Sequence, residues 1–153
     1  MFTIDDLLDI AIKMEKNGEA VYMDSLARID KKDIKELLQW MADEEARHRN
    51  WFKDQKNRLD LEIDEKNLKE MVPGLLEQMM GDHTLSLDDI DFTEVKNIAD
   101  LLQTFIGFEE ETILFYRMLE MFIEDEKVLK GLELIIAEEQ RHADKLKEMV
   151  ASF

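Results

Sequence analysis

Apolar residues recur at helical spacing along four stretches of the chain. Leu8, Ile12, Tyr22, Leu26 and Ile29 line one face of a first helix, and Ile34, Leu37, Leu38, Met41, Trp51 and Phe52 line a second. A third stripe runs through Ile98, Leu102, Phe105, Tyr116 and Leu119, and a fourth through Val128, Leu132, Ile135, Leu146 and Met149. Thr3 followed by Asp6 predicts a capped start with an acidic first turn, and Asp30 is placed to cap the second helix. The breaks near Asp30 and Glu124 are only a few residues long, so each neighbouring pair must fold back as an antiparallel hairpin. Residues 57–92 are too many for a tight turn. They contain Met71-Val72-Pro73-Gly74, which predicts a break around a short helix. The expectation is one all-α unit over 1–153, with a first hairpin at about 3–56, a crossover at about 57–92 and a second hairpin at about 93–151.

The two hairpins are copies of each other. A constant offset of 94 residues aligns Ile4–Lys53 with Ile98–Lys147 without a gap, at fourteen identities. The identities are selective in kind. They pair Glu15 with Glu109, Tyr22 with Tyr116, Glu44 with Glu138, Glu45 with Glu139, Arg47 with Arg141 and His48 with His142. A repeat kept for packing alone would retain apolar positions first. Two hairpins joined by one long crossover is the topology of a ferritin-like four-helix bundle.

The apolar stripes are interrupted by charge at one depth. Glu15 falls between Ile12 and Tyr22, Glu45 and His48 between Met41 and Phe52, Glu109 between Phe105 and Tyr116, and Glu139 and His142 between Ile135 and Leu146. Glutamate is rarely buried unless something neutralises it. Glu15 lies as many residues before Asp30 as Glu45 lies after it, so at about 1.5 Å per residue both sit some 22 Å from the turn and face each other. Glu109 and Glu139 stand in the same relation to Glu124. Each Glu-x-x-His unit puts both side chains on one helix face, within reach of a single ion. Two such units and two lone glutamates form the ligand set of di-iron and di-manganese carboxylate bundles. Four carboxylates with two neutral imidazoles also balance two divalent ions, which spares the core an uncompensated charge.

Composition narrows the alternatives. A net charge of −17 argues against a nucleic-acid partner, since phosphate binding depends on clustered Lys and Arg. The absence of cysteine removes disulfides, iron–sulfur clusters and thiolate zinc, leaving oxygen and nitrogen ligands. The first residues lack the pattern of a signal peptide and no apolar run reaches membrane-spanning length, so a cytoplasmic protein with no membrane partner is expected. Tyr22 and Tyr116, each seven residues after a lone glutamate, are candidates to donate a hydrogen bond to a ligand carboxylate from a neighbouring helix, though core packing explains them as well. Glu44, Glu138, Arg47 and Arg141 read as solvated or paired at the bundle edge, His83 as exposed, and the ten methionines as core filler.

The segments MEKNGEAVY, DEEARH, FEEETILFY and AEEQRH together resemble the ferritin-like domain of the rubrerythrin family, and the resemblance spans both hairpins. It implies two iron ions per chain, with manganese or a mixed pair as variants. It also implies that Glu45 and Glu139 bridge them, that Glu15 with His48 completes one site, and that Glu109 with His142 completes the other. Family members reduce hydrogen peroxide, or in some cases oxygen, with electrons from a rubredoxin or similar carrier. This chain contains no cysteine, so the donor is expected to be a separate protein, and the resemblance implies a homodimer or other small oligomer. Rubrerythrins place a further glutamate three residues after the lone glutamate of the third helix. Thr112 stands there, and Gly18 at the equivalent place in the first helix. The alternatives are a non-catalytic iron-binding or storage protein and a di-manganese, catalase-like enzyme.

Overall fold

The computed structural model describes residues 3–58, 63–80 and 97–153. Five helices account for almost all of them: α1 (Ile4–Ser25), α2 (Lys32–Lys56), α3 (Glu65–Met80), α4 (Ile98–Glu120) and α5 (Glu126–Ala151). The fold is all-α, as the periodicity predicts. α1 packs along α2 and α4 along α5, and the two hairpins meet through α2 against α5 and α1 against α4. His83 and the expected last part of the crossover lie outside the described residues.

Helix starts follow local chemistry, and the repeat reaches into the caps. Thr3 and Asp6 form a reciprocal capping box, with Asp6 N donating to Thr3 Oγ1 at 3.2 Å and Thr3 N to Asp6 Oδ2 at 2.9 Å. Asn97, the repeat equivalent of Thr3, caps α4 by accepting from Asp100 N at 2.9 Å. Asp30 does not cap α2 as expected. Ile29 is buried in extended backbone just before it, and the helix starts only after Lys31, which offers no capping side chain. The equivalent of Lys31 is Asp125, and it does cap, accepting from Lys127 N and Val128 N.

The expected break at Pro73 is also absent, because α3 runs through it. Leu68 and Val72, one turn apart, are buried against the bundle before the proline and Leu75 packs there after it, pinning the helix on both sides of the missing N–H, while Pro73 itself faces solvent. Just before α3, Asp64 N donates to Phe122 O at 2.7 Å, tying the crossover to the loop after α4.

Two apolar clusters fill the interior. One gathers the start of α1, the end of α2, the end of α4 and the start of α5, around Leu7, Phe52, Leu119 and Leu132. The other gathers the opposite ends, around Ile34, Leu38, Leu102 and Leu146. The hairpins therefore run antiparallel to each other. The buried glutamates and histidines of the four long helices lie in the layer between the two clusters.

Candidate metal centre

The six residues selected from the sequence converge in that layer. Glu15 comes from α1, Glu45 and His48 from α2, Glu109 from α4, and Glu139 and His142 from α5, and every one is wholly buried. Their donor atoms fall into two overlapping groups, within each of which all lie inside 4.8 Å. Glu15, Glu45, His48 and Glu139 form one; Glu45, Glu109, Glu139 and His142 form the other. Glu45 and Glu139 belong to both.

Both imidazoles turn Nδ1 inward. His48 Nδ1 lies 2.7 Å from Glu139 Oε1 and 3.5 Å from Glu15 Oε1. His142 Nδ1 lies 3.2 Å from Glu45 Oε1 and 3.6 Å from Glu109 Oε1. Each histidine thus meets the lone glutamate of its own hairpin and the Glu-x-x-His glutamate of the other.

Among the described residues Glu15 Oε2, both oxygens of Glu45, Glu109 Oε2, Glu139 Oε2 and His142 Nδ1 are buried without a hydrogen-bond partner. Buried polar atoms are ordinarily paired, and each orphan costs about 1–3 kcal/mol. Hard carboxylate oxygens with imidazole nitrogens make a donor set for a divalent transition metal, and the orphaned atoms converge where such ions would sit. The residues fit.

Two tyrosines hold the outer carboxylates from across the bundle. Tyr22 Oη donates to Glu109 Oε1 at 2.5 Å, and Tyr116 Oη donates to Glu15 Oε1. Each therefore serves the lone glutamate of the other repeat. Sequence reasoning missed the role of Glu44. It is mostly buried, and its Oε1 accepts from His142 Nε2 at 2.8 Å. Arg47 donates to Glu44 Oε2 at 3.1 Å and also to Glu138 Oε2, so this part of the edge is an ionic bridge between hairpins. The Glu-Glu doublets preserved in both repeats were the signal.

A family model described as Rubrerythrin matches residues 6–97. The chain belongs to the rubrerythrin family. The match covers α1 to α3, and α4 with α5 repeats the pattern of α1 with α2. The fold is also that of a Thermotoga maritima protein described as a ferritin-like diiron-carboxylate protein, with a TM-score of 0.69 over 98% of this chain and 95% of that one. At 21% identity this likeness speaks for the fold. No curated protein sequence matches the chain. None of the described helices is long and apolar enough to cross a membrane.

The electrostatics of this rubrerythrin-family site are those of carboxylates competing for positive charge. Burial pushes the Glu45 carboxyl well up, and the charges of Glu139, Glu15 and Glu109 push it further. Burial and Glu139 do the same to Glu109. For Glu139 burial acts upward too, but its close approach to Glu109, His142 and His48 wins and holds it well below the ordinary range. Burial would lower His48, yet its bonds to Glu139 and Glu15 outweigh that and push it up to about 10. His142 is raised in the same way. Burial and the neighbouring carboxylates also raise Tyr22 and Tyr116, so both stay protonated donors.

The positions of the family's further glutamate are occupied otherwise. Gly18 is buried, and a Cβ there would lie 3.2 Å from Glu45 Oε2 and 3.3 Å from Phe108 Cε1. Thr112 is buried as well, with its hydroxyl donated to Phe108 O of its own helix at 2.8 Å.

Proposed function

We propose that the centre holds two iron ions and reduces hydrogen peroxide, or oxygen, with electrons delivered by a separate carrier such as a rubredoxin, in a homodimeric protein. The observation that carries this reading is the sharing of Glu45 and Glu139 between two otherwise separate ligand groups. A carboxylate common to both groups is placed to bridge a pair of ions. Glu15 with His48 would complete one site and Glu109 with His142 the other. Iron held as such a pair supplies the two electrons that breaking a peroxide O–O bond consumes.

The chain's own contribution is position and charge. The tyrosine hydroxyls fix Glu15 and Glu109 while leaving each carboxylate a free oxygen for an ion. Four ionised carboxylates match two divalent ions, so the pair can sit between two apolar clusters without stranding charge. The apolar clusters on both sides keep bulk water from the layer.

Metal analysis of the purified protein, followed by rapid mixing of the reduced protein with peroxide and with oxygen, tests this reading. Faster oxidation by peroxide supports a peroxidase. Faster reaction with oxygen would move the assignment to an oxidase, and bound manganese to a catalase-like enzyme. Reaction with neither, in a large closed shell on size-exclusion chromatography, would assign iron storage.

A further inference from the structure

The repeat relates the two halves of the centre, and one contact breaks the relation. Symmetry would have the outer nitrogen of each histidine held by the first glutamate of the opposite doublet. His142 Nε2 has that partner, Glu44 Oε1 at 2.8 Å. His48 Nε2 does not: Glu138 Oε1 is 3.7 Å away, and the nitrogen is buried with no hydrogen-bond partner among the described residues. The difference traces to Arg47. Its Nη2 donates to Glu138 Oε2 and also to Glu44 Oε2, whereas Arg141, its repeat equivalent, makes no hydrogen bond or ion pair among the described residues. One arginine takes both carboxylates.

We propose that Arg47 is a positioning residue that makes the two halves unequal, so that the half built on His142 binds a divalent ion more tightly than the half built on His48. This rests on reading the six residues as a two-ion centre. Glu44 can satisfy Arg47 with one oxygen and His142 with the other. Glu138, drawn onto Arg47, stops short of His48. A carboxylate on the outer N–H of a ligand imidazole fixes its tautomer and orientation and makes the inner nitrogen more basic, and losing such a partner typically costs about 10–100-fold in metal affinity. The ring of His142 is further restrained by Trp40, edge-on at 5.0 Å between centroids. Arg47 itself is mostly solvent-exposed, so its charge is screened and it acts through the placement of Glu138.

Titration of the metal-free full chain with cobalt(II), followed by calorimetry and by the visible absorbance of the bound ion, tests this. The wild type should bind in two steps separated by about tenfold or more. Glu44→Gln should weaken the tighter step by about 10–100-fold, while Glu138→Gln should leave both within about threefold. Arg47→Gln should tighten the weaker step and bring the two together, without a matching change in melting temperature. His142→Ala should remove the tighter step and His48→Ala the weaker one. Equal affinities in the wild type would overturn the inference and leave the two-ion centre standing. So would a first ion lost in His48→Ala but kept in His142→Ala, or an Arg47→Gln variant that weakens both steps alike. Absence of cobalt binding would overturn the centre and this inference with it.

Discussion

In the metal-free chain six titratable groups are buried in one layer, and their shifts set the sign of its pH dependence. His48 has its pKa raised to about 10 in the folded chain, from an ordinary value of 6.5. A histidine raised by folding contributes stability that is fully present below the unfolded value and is lost as pH climbs through the folded one. Over that window the folded state holds one more proton than the unfolded chain, which is a slope of about 1.4 kcal/mol per pH unit. His142 is raised in the same direction, and Glu45 and Glu109 lose stability from pH 4.5 upward for the same reason. Glu139, depressed, is ionised in both states above its ordinary range and adds no slope there. The metal-free protein should therefore lose at least about 3 kcal/mol between pH 7 and 9, or about 5–10 °C in melting temperature for a chain of this size. Bound divalent ions replace these protons, so the loaded protein should show a much flatter profile. Thermal melts at 222 nm at pH 6, 7, 8 and 9, with and without metal, measure both curves. A metal-free melting temperature that stays level from pH 7 to 9, or parallel curves for the two forms, would refute the assignment of protons to this layer.

Replacing Glu45 and Glu139 together by alanine should abolish tight binding of both ions by metal analysis, and retention of two ions would dismiss these six residues as the ligand set. Gly131→Ala should destabilise by about 1–3 kcal/mol in a denaturant melt, because a Cβ there would lie 2.6 Å from Trp51 Cζ2. Gly107→Ala, on an exposed face of α4 with nothing within 4 Å of the added methyl, should instead stabilise by about 0.5–1 kcal/mol. Thr112→Glu should keep the two ions and change the rate of oxidation by peroxide, and unchanged rates and spectra would place that side chain away from the centre.

Much of this was legible because the repeat turned weak local signals into paired ones. A single Glu-x-x-His on a helix says little, but Glu45/His48 and Glu139/His142 at one depth, each opposite a lone glutamate, left few other arrangements. The pairing of the tyrosines made them candidates to bond a carboxylate from a neighbouring helix or to fill the core, and it took the fold to give them Glu109 and Glu15. What escaped was decided by tertiary contact. Pro73 carries a strong breaking signal, and the burial of Leu68 and Val72 overrides it. Asp30 has the right chemistry for a cap, but Ile29 must be buried first and shifts the helix start past it. Glu44 looks like any surface glutamate until α5 brings His142 against it.

The level of the missing seventh carboxylate shows how a duplicated chain departs from symmetry without losing its core. Gly18 leaves the space that the Phe108 ring enters from the other hairpin, 3.3 Å from where a Cβ would stand. The repeat equivalents are Thr112 and Met14, so the glycine with the large rigid ring is exchanged for a threonine with a flexible thioether. Both pairs are buried, and neither supplies a charge. A glutamate at 18 would have to displace both Phe108 and Glu45, and such overpacking costs about 1–3 kcal/mol before any gain at the metal. Position 112 is buried as well, and its threonine hydroxyl is turned back onto its own helix. The two halves are therefore unequal in how they fill this level as well as in how Arg47 holds them: a rigid ring closes over Gly18 in one, and a threonine takes the equivalent place in the other.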